Sequence, residues 1–134
     1  MIRPQTVVLP ILRAALPGVA VLSAPADVEH RSYPLVVVQR AGGTRNPNAP
    51  RLHALPVLQI TATSDVGPVD AEELYDKALD ALYAAVRAQT VVQDVGYLQS
   101  ISEDQGPTPL DPWIPDAWSI EGRIRCGLRP FAVA

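Results

Sequence analysis

Two strongly apolar runs, YPLVVVQR at residues 33–40 and LPVLQITAT at residues 55–63, flank the basic segment QRAGGTRNPNAPRLH at residues 39–53. A run that is apolar on both faces is typical of a strand in the centre of a sheet or covered on both sides. The two runs therefore predict two buried strands. Paired strands need only two to five connecting residues, so the sequence predicts an extended basic loop over residues 41–54 instead of a tight turn.

The composition of this loop indicates a role outside the monomer. Gly42 and Gly43 predict a turn with positive φ that ends the first strand, and a phosphate-binding loop is not indicated because no Gly-Lys-Ser/Thr follows. Ordering about a dozen residues would cost on the order of 12–24 kcal/mol. A polar, Pro-rich loop buries too little in one chain to offset that cost. A neighbouring copy or partner could supply the surface, and a disordered surface loop is the alternative.

The remaining pattern predicts one domain over residues 1–134. Apolar residues at helical spacing predict an N-terminal helix from Pro4, in which Pro10 produces a kink or delays the start. A short strand over residues 19–23, a helix over 69–88 and a strand over 95–102 follow. Four prolines predict a loop over residues 103–117, and strict alternation predicts a half-buried antiparallel strand over 118–128. This order indicates an α+β fold, a mostly antiparallel β-sheet packed by two helices.

The predicted helix over residues 69–88 has one apolar and one acidic side. The apolar stripe consists of Leu74, Ala78, Leu82, Ala85 and Val86. On the acidic side, Glu72, Asp76 and Asp80 recur at i, i+4 and i+8. Carboxylates at this spacing could bind a metal or carry out acid–base chemistry, but no histidine joins them. The pattern favours a solvated or partner-facing surface.

Features of enzymes, cofactor sites and membrane spans are not indicated. Cys126 is the single cysteine and lies on the apolar face of its predicted strand. His30 and His53 have no ligand spacing, and no G-x-S-x-G is present. We expect no catalysis, no cofactor and no metal.

No apolar run reaches the ~20 residues of a membrane span. The N-terminus is a poor signal peptide because prolines and Arg13 interrupt it, which predicts an intracellular origin.

Charge is distributed unevenly along the chain. Residues 1–60 contain six arginines and two acidic residues, and the remainder contains five basic and twelve acidic residues. A chain with a basic and an acidic portion could pair with copies of itself or with charged neighbours. The alternative is that the fold mixes the two portions in space.

The segments ALPGVAV, YPLVVVQRAGG, VDAEELYDKALDAL and WSIEGRIR, in this order, resemble the tail terminator (tail completion) proteins of long-tailed bacteriophages, especially those infecting actinobacteria. The resemblance implies a tail-terminator-like sandwich and a virion protein of the neck, assembled in the host cytoplasm. It implies a homo-hexameric ring that caps the head-proximal end of the tail tube, stops tube polymerisation and joins the tail to the head connector.

The partners implied by the resemblance are other copies of the chain, the major tail tube protein and the head–tail connector or stopper protein. Genomic DNA would be only passing cargo in the lumen, and no membrane is involved. The expected interface residues lie in the basic loop, on the acidic stripe and in the Pro-rich loop, where an aromatic side chain could anchor a partner: Arg40, Arg45, Arg51, His53, Glu72, Asp76, Asp80 and Trp113.

Two other functions remain open from the residues. A head–tail connector or stopper of the same neck would have the same features and differ in its partner. A small ligand-binding α+β domain or enzyme would need converging polar groups in a pocket, and none can be assembled from these residues.

Overall fold

Six strands and two helices make up the computed structural model, which describes residues 3–23, 33–45, 54–110 and 117–130. The sheet order is β1-β2-β3-β6-β5-β4, and β1 pairs with β2 in parallel while every other neighbouring pair is antiparallel. The predicted α+β class is confirmed. The elements are α1 Pro4–Ala15, β1 Ala20–Leu22, β2 Leu35–Arg45, β3 Ala54–Ser64, α2 Pro68–Ala88, β4 Val91–Val92, β5 Gly96–Leu110 and β6 Trp118–Pro130.

Helix α1 begins at Pro4, where the missing N–H would have no partner within the helix. Val7, Val8 and Ile11 lie on its buried face, together with Leu12. Pro10 lies inside the helix, on its exposed side. The sequence leaves open that Pro10 delays the start of the helix, but the helix already begins at Pro4. Helix α2 contacts α1 and also contacts β3, β5 and β6.

Helix α2 agrees with the prediction from residue 69 to residue 88, extended by Pro68 at its start. Asp70 in the first turn and Arg87 in the last complement the helix dipole. Gln89 then adopts a left-handed conformation with φ of 52° and ends the helix. The buried face of α2 consists of seven residues: Ala71, Leu74, Tyr75, Ala78, Leu79, Leu82 and Ala85.

The core lies between the two helices and one face of the sheet. Ladder partners share a face, so Val38, Ile60 and Gly122 lie side by side across β2, β3 and β6. The aliphatic residues of this face form the core cluster with both helices: Val36, Val38, Leu58, Ile60, Ala62, Leu98, Ile120, Ile124 and Leu128. The strand predicted at residues 118–128 is thus confirmed, with its aliphatic side inward.

The sequence predicted that the strand before Gly42 and Gly43 ends at this glycine pair. The structure shows that this strand, β2, continues past it. The register of β2 shifts between Arg40 and Gly42, and pairing with β3 then continues as far as Arg45 opposite Ala54. Gly42 has the positive φ expected, 135°, but it serves a β-bulge, which inserts one extra residue without ending the ladder. Of the expected loop 41–54, residues 41–45 and residue 54 are therefore strand, and residues 46–53 lie outside the described residues.

The prediction of a loop over residues 103–117 is also wrong for its first half. Residues 103–110 continue β5 and pair with β6, with register shifts at Glu103/Gln105 and Gln105/Thr108. β4 pairs only with Gly96 and Tyr97, so this half of β5 has one free edge among the described residues. Proline is tolerated on an edge strand because its missing N–H can face away from the ladder. Residues 111–116 lie outside the described residues.

Candidate subunit and partner interface

The acidic stripe predicted on the long helix exists on the surface of α2. Glu72, Asp76 and Asp80 are all exposed, as are Glu73 and Asp70. They are exposed because the opposite side of the helix carries the apolar residues that pack on the sheet. At 1.5 Å rise per residue, carboxylates four residues apart recur about every 6 Å along the helix. The result is a linear array of negative charge facing away from the core.

Of the basic residues predicted to form an interface, Arg40 is the one whose side chain the structure describes, and it forms no ion pair with this stripe. Arg40 is exposed on β2, where its Nε donates a hydrogen bond of 3.4 Å to the Gly42 carbonyl oxygen. Arg45 ends β2, and only its backbone is described. Arg51, His53 and Trp113 lie outside the described residues. Among the described residues, no ion pair joins Arg40 to the carboxylates of α2.

A second charged surface lies on the face of the sheet opposite the helices. Arg123, Arg125 and Arg129 of β6 are exposed on this face. Arg125 Nη2 lies 3.6 Å from Asp104 Oδ1, and Arg129 Nε donates a 2.9 Å hydrogen bond to Gln99 Oε1. The alternation of residues 118–128 placed two of these arginines on the polar side of the strand, but the sequence alone did not predict an interface there.

A cavity of about 410 Å³ lies where α1 ends and α2 begins. Its apolar lining includes Leu16, Val19 and Leu74, and carboxylates of the β3–α2 turn and α2 lie beside them. Val66, which also lines it, is 73% exposed, and nearby Val69 is 62% exposed. This combination of apolar surface and negative charge was not predicted, because it depends on how α1 meets α2.

Among the described residues, the two side chains whose pKa values are shifted are part of the core. Burial raises the pKa of the Cys126 thiol to about 12, and burial, with a further contribution from Glu103, raises the pKa of Tyr75 to about 12. Both groups are therefore protonated at neutral pH, and both side chains are fully buried. A buried neutral thiol acts as a small apolar residue, since the nucleophile is the thiolate.

Residues 3–23, 33–45, 54–110 and 117–130 contain no group of three or more His, Cys, Asp or Glu side chains arranged to hold a metal ion. Neither described helix has the length and apolar composition required to cross a bilayer.

Comparison with known proteins identifies the chain at the level of family. The family model of phage tail termination proteins matches residues 1–133. The chain belongs to this family. The Gene 22 protein of Mycobacterium phage L5 is 47% identical over 131 residues, covering 96% of this chain and 94% of the relative. The Gene 22 protein of Mycobacterium phage D29 is 44% identical over the same length, with the same shares covered.

A solved structure shows that the fold recurs in another virion particle. A chain from the virion of the native gene transfer agent particle superposes with a TM-score of 0.54 at 18% identity, covering 94% of each chain. At that identity the likeness concerns the fold. Membership of the tail termination family makes this chain a structural protein of the phage virion tail, as the resemblance in its sequence implied.

Proposed function

We propose that this tail termination protein forms a hexameric ring that caps the head-proximal end of the tail tube. The ring stops tube polymerisation and presents a surface to the head connector. The observation that carries this proposal is the match of the family over residues 1–133, which leaves almost none of the chain for a different function. The charged surfaces on α2 and β6 add to it, since both remain exposed in the single chain.

The surfaces that we assign to assembly include those expected from the sequence. We propose that Arg40, Arg45, Arg51 and His53 contact a neighbouring copy or the tube, and that Trp113 anchors a partner. We assign the acidic stripe Glu72, Asp76 and Asp80 to a separate, anionic contact surface. The role is structural and involves neither catalysis nor a cofactor; DNA passes through the lumen without being held.

The experiment combines mass measurement with imaging. Purified protein is measured by light scattering alone and after mixing with purified tail tubes, and the tubes are imaged by negative stain. The proposal predicts a ring-shaped density at one end of each tube and no further growth of capped tubes when tube protein is added. Protein that ignores tubes but binds the connector would overturn the terminator function in favour of a connector or stopper.

Replacing Arg45 and Arg51 with alanine tests the contribution of the basic segment. Capping should weaken while the melting temperature of the monomer stays within about 2 °C, because the proposal has both side chains contact a partner and not the chain's own core, and substitutions outside the core change stability by only about 0.5 kcal/mol. A large loss of monomer stability without loss of capping would show that these arginines support the chain's own fold.

A further inference from the structure

The exposed part of the sheet face opposite the helices is centred on β6 and β5. On the β2 side of this face, Leu35, Val37 and Val57 are buried. Toward β5 on the same face, Arg123 and Arg125 lie next to exposed polar residues. Ser102 is opposite Arg125, and Gln105 is opposite Arg123. Among the described residues, neither helix packs on this face. It is a polar surface with arginines along its central strand.

The arginines of this face are weakly engaged within the chain. The contact between Arg125 and Asp104 is long, and the two side chains are 50% and 44% exposed. Exposed pairs of this kind contribute only about 0–1 kcal/mol. Among the described residues, Arg123 has no ion pair. These guanidinium groups are therefore available to carboxylates of another molecule.

The arginines on β6 and the carboxylates on α2 are spaced at similar distances along their elements. Successive outward residues of a strand lie about 6.8 Å apart, as for Arg123 and Arg125. Carboxylates four residues apart on a helix lie about 6 Å apart, as for Asp76 and Asp80. A helix laid along β6 could therefore pair two consecutive carboxylates with the two arginines.

The placement of the surfaces excludes pairing within one chain. α2 covers one face of the sheet and turns its carboxylates away from it, whereas the arginines project from the other face. The two surfaces thus lie on opposite sides of the molecule. If they meet between copies, each copy uses a different surface toward each neighbour. Such a head-to-tail interface generates rings or filaments, whereas a two-fold interface closes after two copies.

We propose that neighbouring copies assemble by docking the acidic face of α2, with Glu72, Asp76 and Asp80, onto the arginine face of β6, with Arg123 and Arg125. This inference rests on the proposed ring and specifies its interface. The occupant of each surface is a second copy of this chain. Because both partners are charged and exposed, the contact governs orientation and weakens as salt rises.

Charge reversal and restoration test the proposal. One variant carries Asp76→Lys and Asp80→Lys, a second carries Arg123→Glu and Arg125→Glu, and a third carries all four changes. Each of the first two should reduce the fraction of capped tubes by about tenfold or more, because like charges then face each other at every interface. The third should recover most of the capping, since each head-to-tail contact again joins opposite charges.

A matched control separates this effect from net charge. Asp65→Lys with Glu103→Lys changes the net charge as the first variant does, but at two exposed carboxylates outside the stripe. It should cap like the wild type. Circular dichroism and thermal melting establish that all four variants fold.

The outcomes distinguish this inference from the proposed function. If the wild type caps tubes and both reversals cap equally well, or if the fourfold variant is no better than either parent, the docking of α2 onto β6 is wrong and the ring function stands. If the wild type forms no cap, the proposed function fails, and this interface fails with it.

Discussion

At the scale of single residues, the most constrained contact joins α2 to the middle of the sheet. A Cβ atom added at Gly122 would overlap the hydroxyl and ring of Tyr75, which is fully buried. The Tyr75 hydroxyl has no hydrogen-bond partner among the described residues. Gly122 therefore leaves space for the ring of Tyr75. The ring stabilises the core by packing, whereas burying the unpaired hydroxyl costs free energy.

Gly122→Ala should lower the free energy of unfolding by about 1–3 kcal/mol, as overpacking does elsewhere. Tyr75→Phe should leave it unchanged or raise it, because the unpaired hydroxyl is removed and the ring is retained. Urea denaturation followed by circular dichroism measures both. Gly106→Ala is the control, since the nearest atom to its added Cβ is an exposed carboxylate oxygen at 3.4 Å. A Gly122→Ala protein as stable as the control would refute this packing.

The buried thiol and phenol predict a loss of stability at high pH. Burial raises the pKa of Cys126 from its ordinary value of 9.0 to about 12, and that of Tyr75 from 10.0 to about 12. Both groups hold their protons more tightly in the native state. Their contribution is therefore fully present below pH 9, where the unfolded thiol begins to ionise, and is lost as the pH rises toward about 12.

Denaturation is measured at several pH values between 7 and 11. The slope of the free energy of unfolding against pH then reports this effect. Cys126→Ala should flatten the slope from about pH 9 upward, and Tyr75→Phe from about pH 10 upward. Comparing slopes removes the difference in stability at neutral pH that each substitution causes. Unchanged slopes in both variants would show that neither group titrates differently in the folded chain.

At the scale of elements, prolines have different effects according to position. Pro4 and Pro68 begin the two helices, where the missing N–H costs nothing. Pro10 lies inside α1 and leaves the Thr6 carbonyl without its usual helical N–H donor. Pro107 and Pro109 lie in the half of β5 that has a free edge among the described residues. The sequence predicted Pro4 at the start of a helix, placed Pro68 in the turn just before one, and mistook Pro107 and Pro109 for loop residues.

Pro10→Ala should raise the free energy of unfolding by about 1–3 kcal/mol, because an interior proline costs roughly 3 kcal/mol relative to alanine. The residue is exposed, so no packing is lost. The control is Pro68→Ala, an exposed proline at the first position of α2, which should change stability by less than about 0.5 kcal/mol. Thermal melting of the two variants measures the difference. Equal shifts would indicate that α1 accommodates Pro10 without cost.

At the scale of the whole molecule, β6 organises the sheet. It pairs with β3 on one side and with β5 on the other over most of its length. The edge strands β1 and β4 have only three and two residues. Short edges limit unwanted pairing with other chains, and Pro107 and Pro109 interrupt the edge of β5 that is free among the described residues. This agrees with the proposal that copies meet through the side-chain surfaces of α2 and β6.

Hydrogen exchange should reflect this organisation. Amide protons of Ile120, Ile124 and Leu128 should exchange slowest, because opening β6 disrupts two ladders and the core together. Those of β1 and β4 should exchange at least a hundredfold faster, given their single short ladders. Two-dimensional NMR after transfer to deuterated buffer provides the rates. Faster exchange in β6 than at the edges would contradict the strand order.

The fold was largely predictable from the sequence because periodicity reports burial directly. The stripe of Leu74 and Leu82 and the alternation around Ile120 and Ile124 each required one side to face a core. The two misassigned segments, at Gly42 and at Pro107, share a cause. Both segments contain residue types that usually end strands. Glycine is tolerated at the bulge of β2 and proline at the free edge of β5. Which strand has a free edge depends on the strand order, which local sequence does not show.

The sequence by itself determined the fold class, the two helices, the inward side of the strand at residues 118–128 and, through the resemblance, the family. These follow from local spacing, which limits where apolar and charged side chains can point. Only the tertiary structure decided that the carboxylates of α2 and the arginines of β6 lie on opposite sides of one molecule. That arrangement arises because helix packing covers one face of the sheet, and it depends on which residues distant in sequence become neighbours.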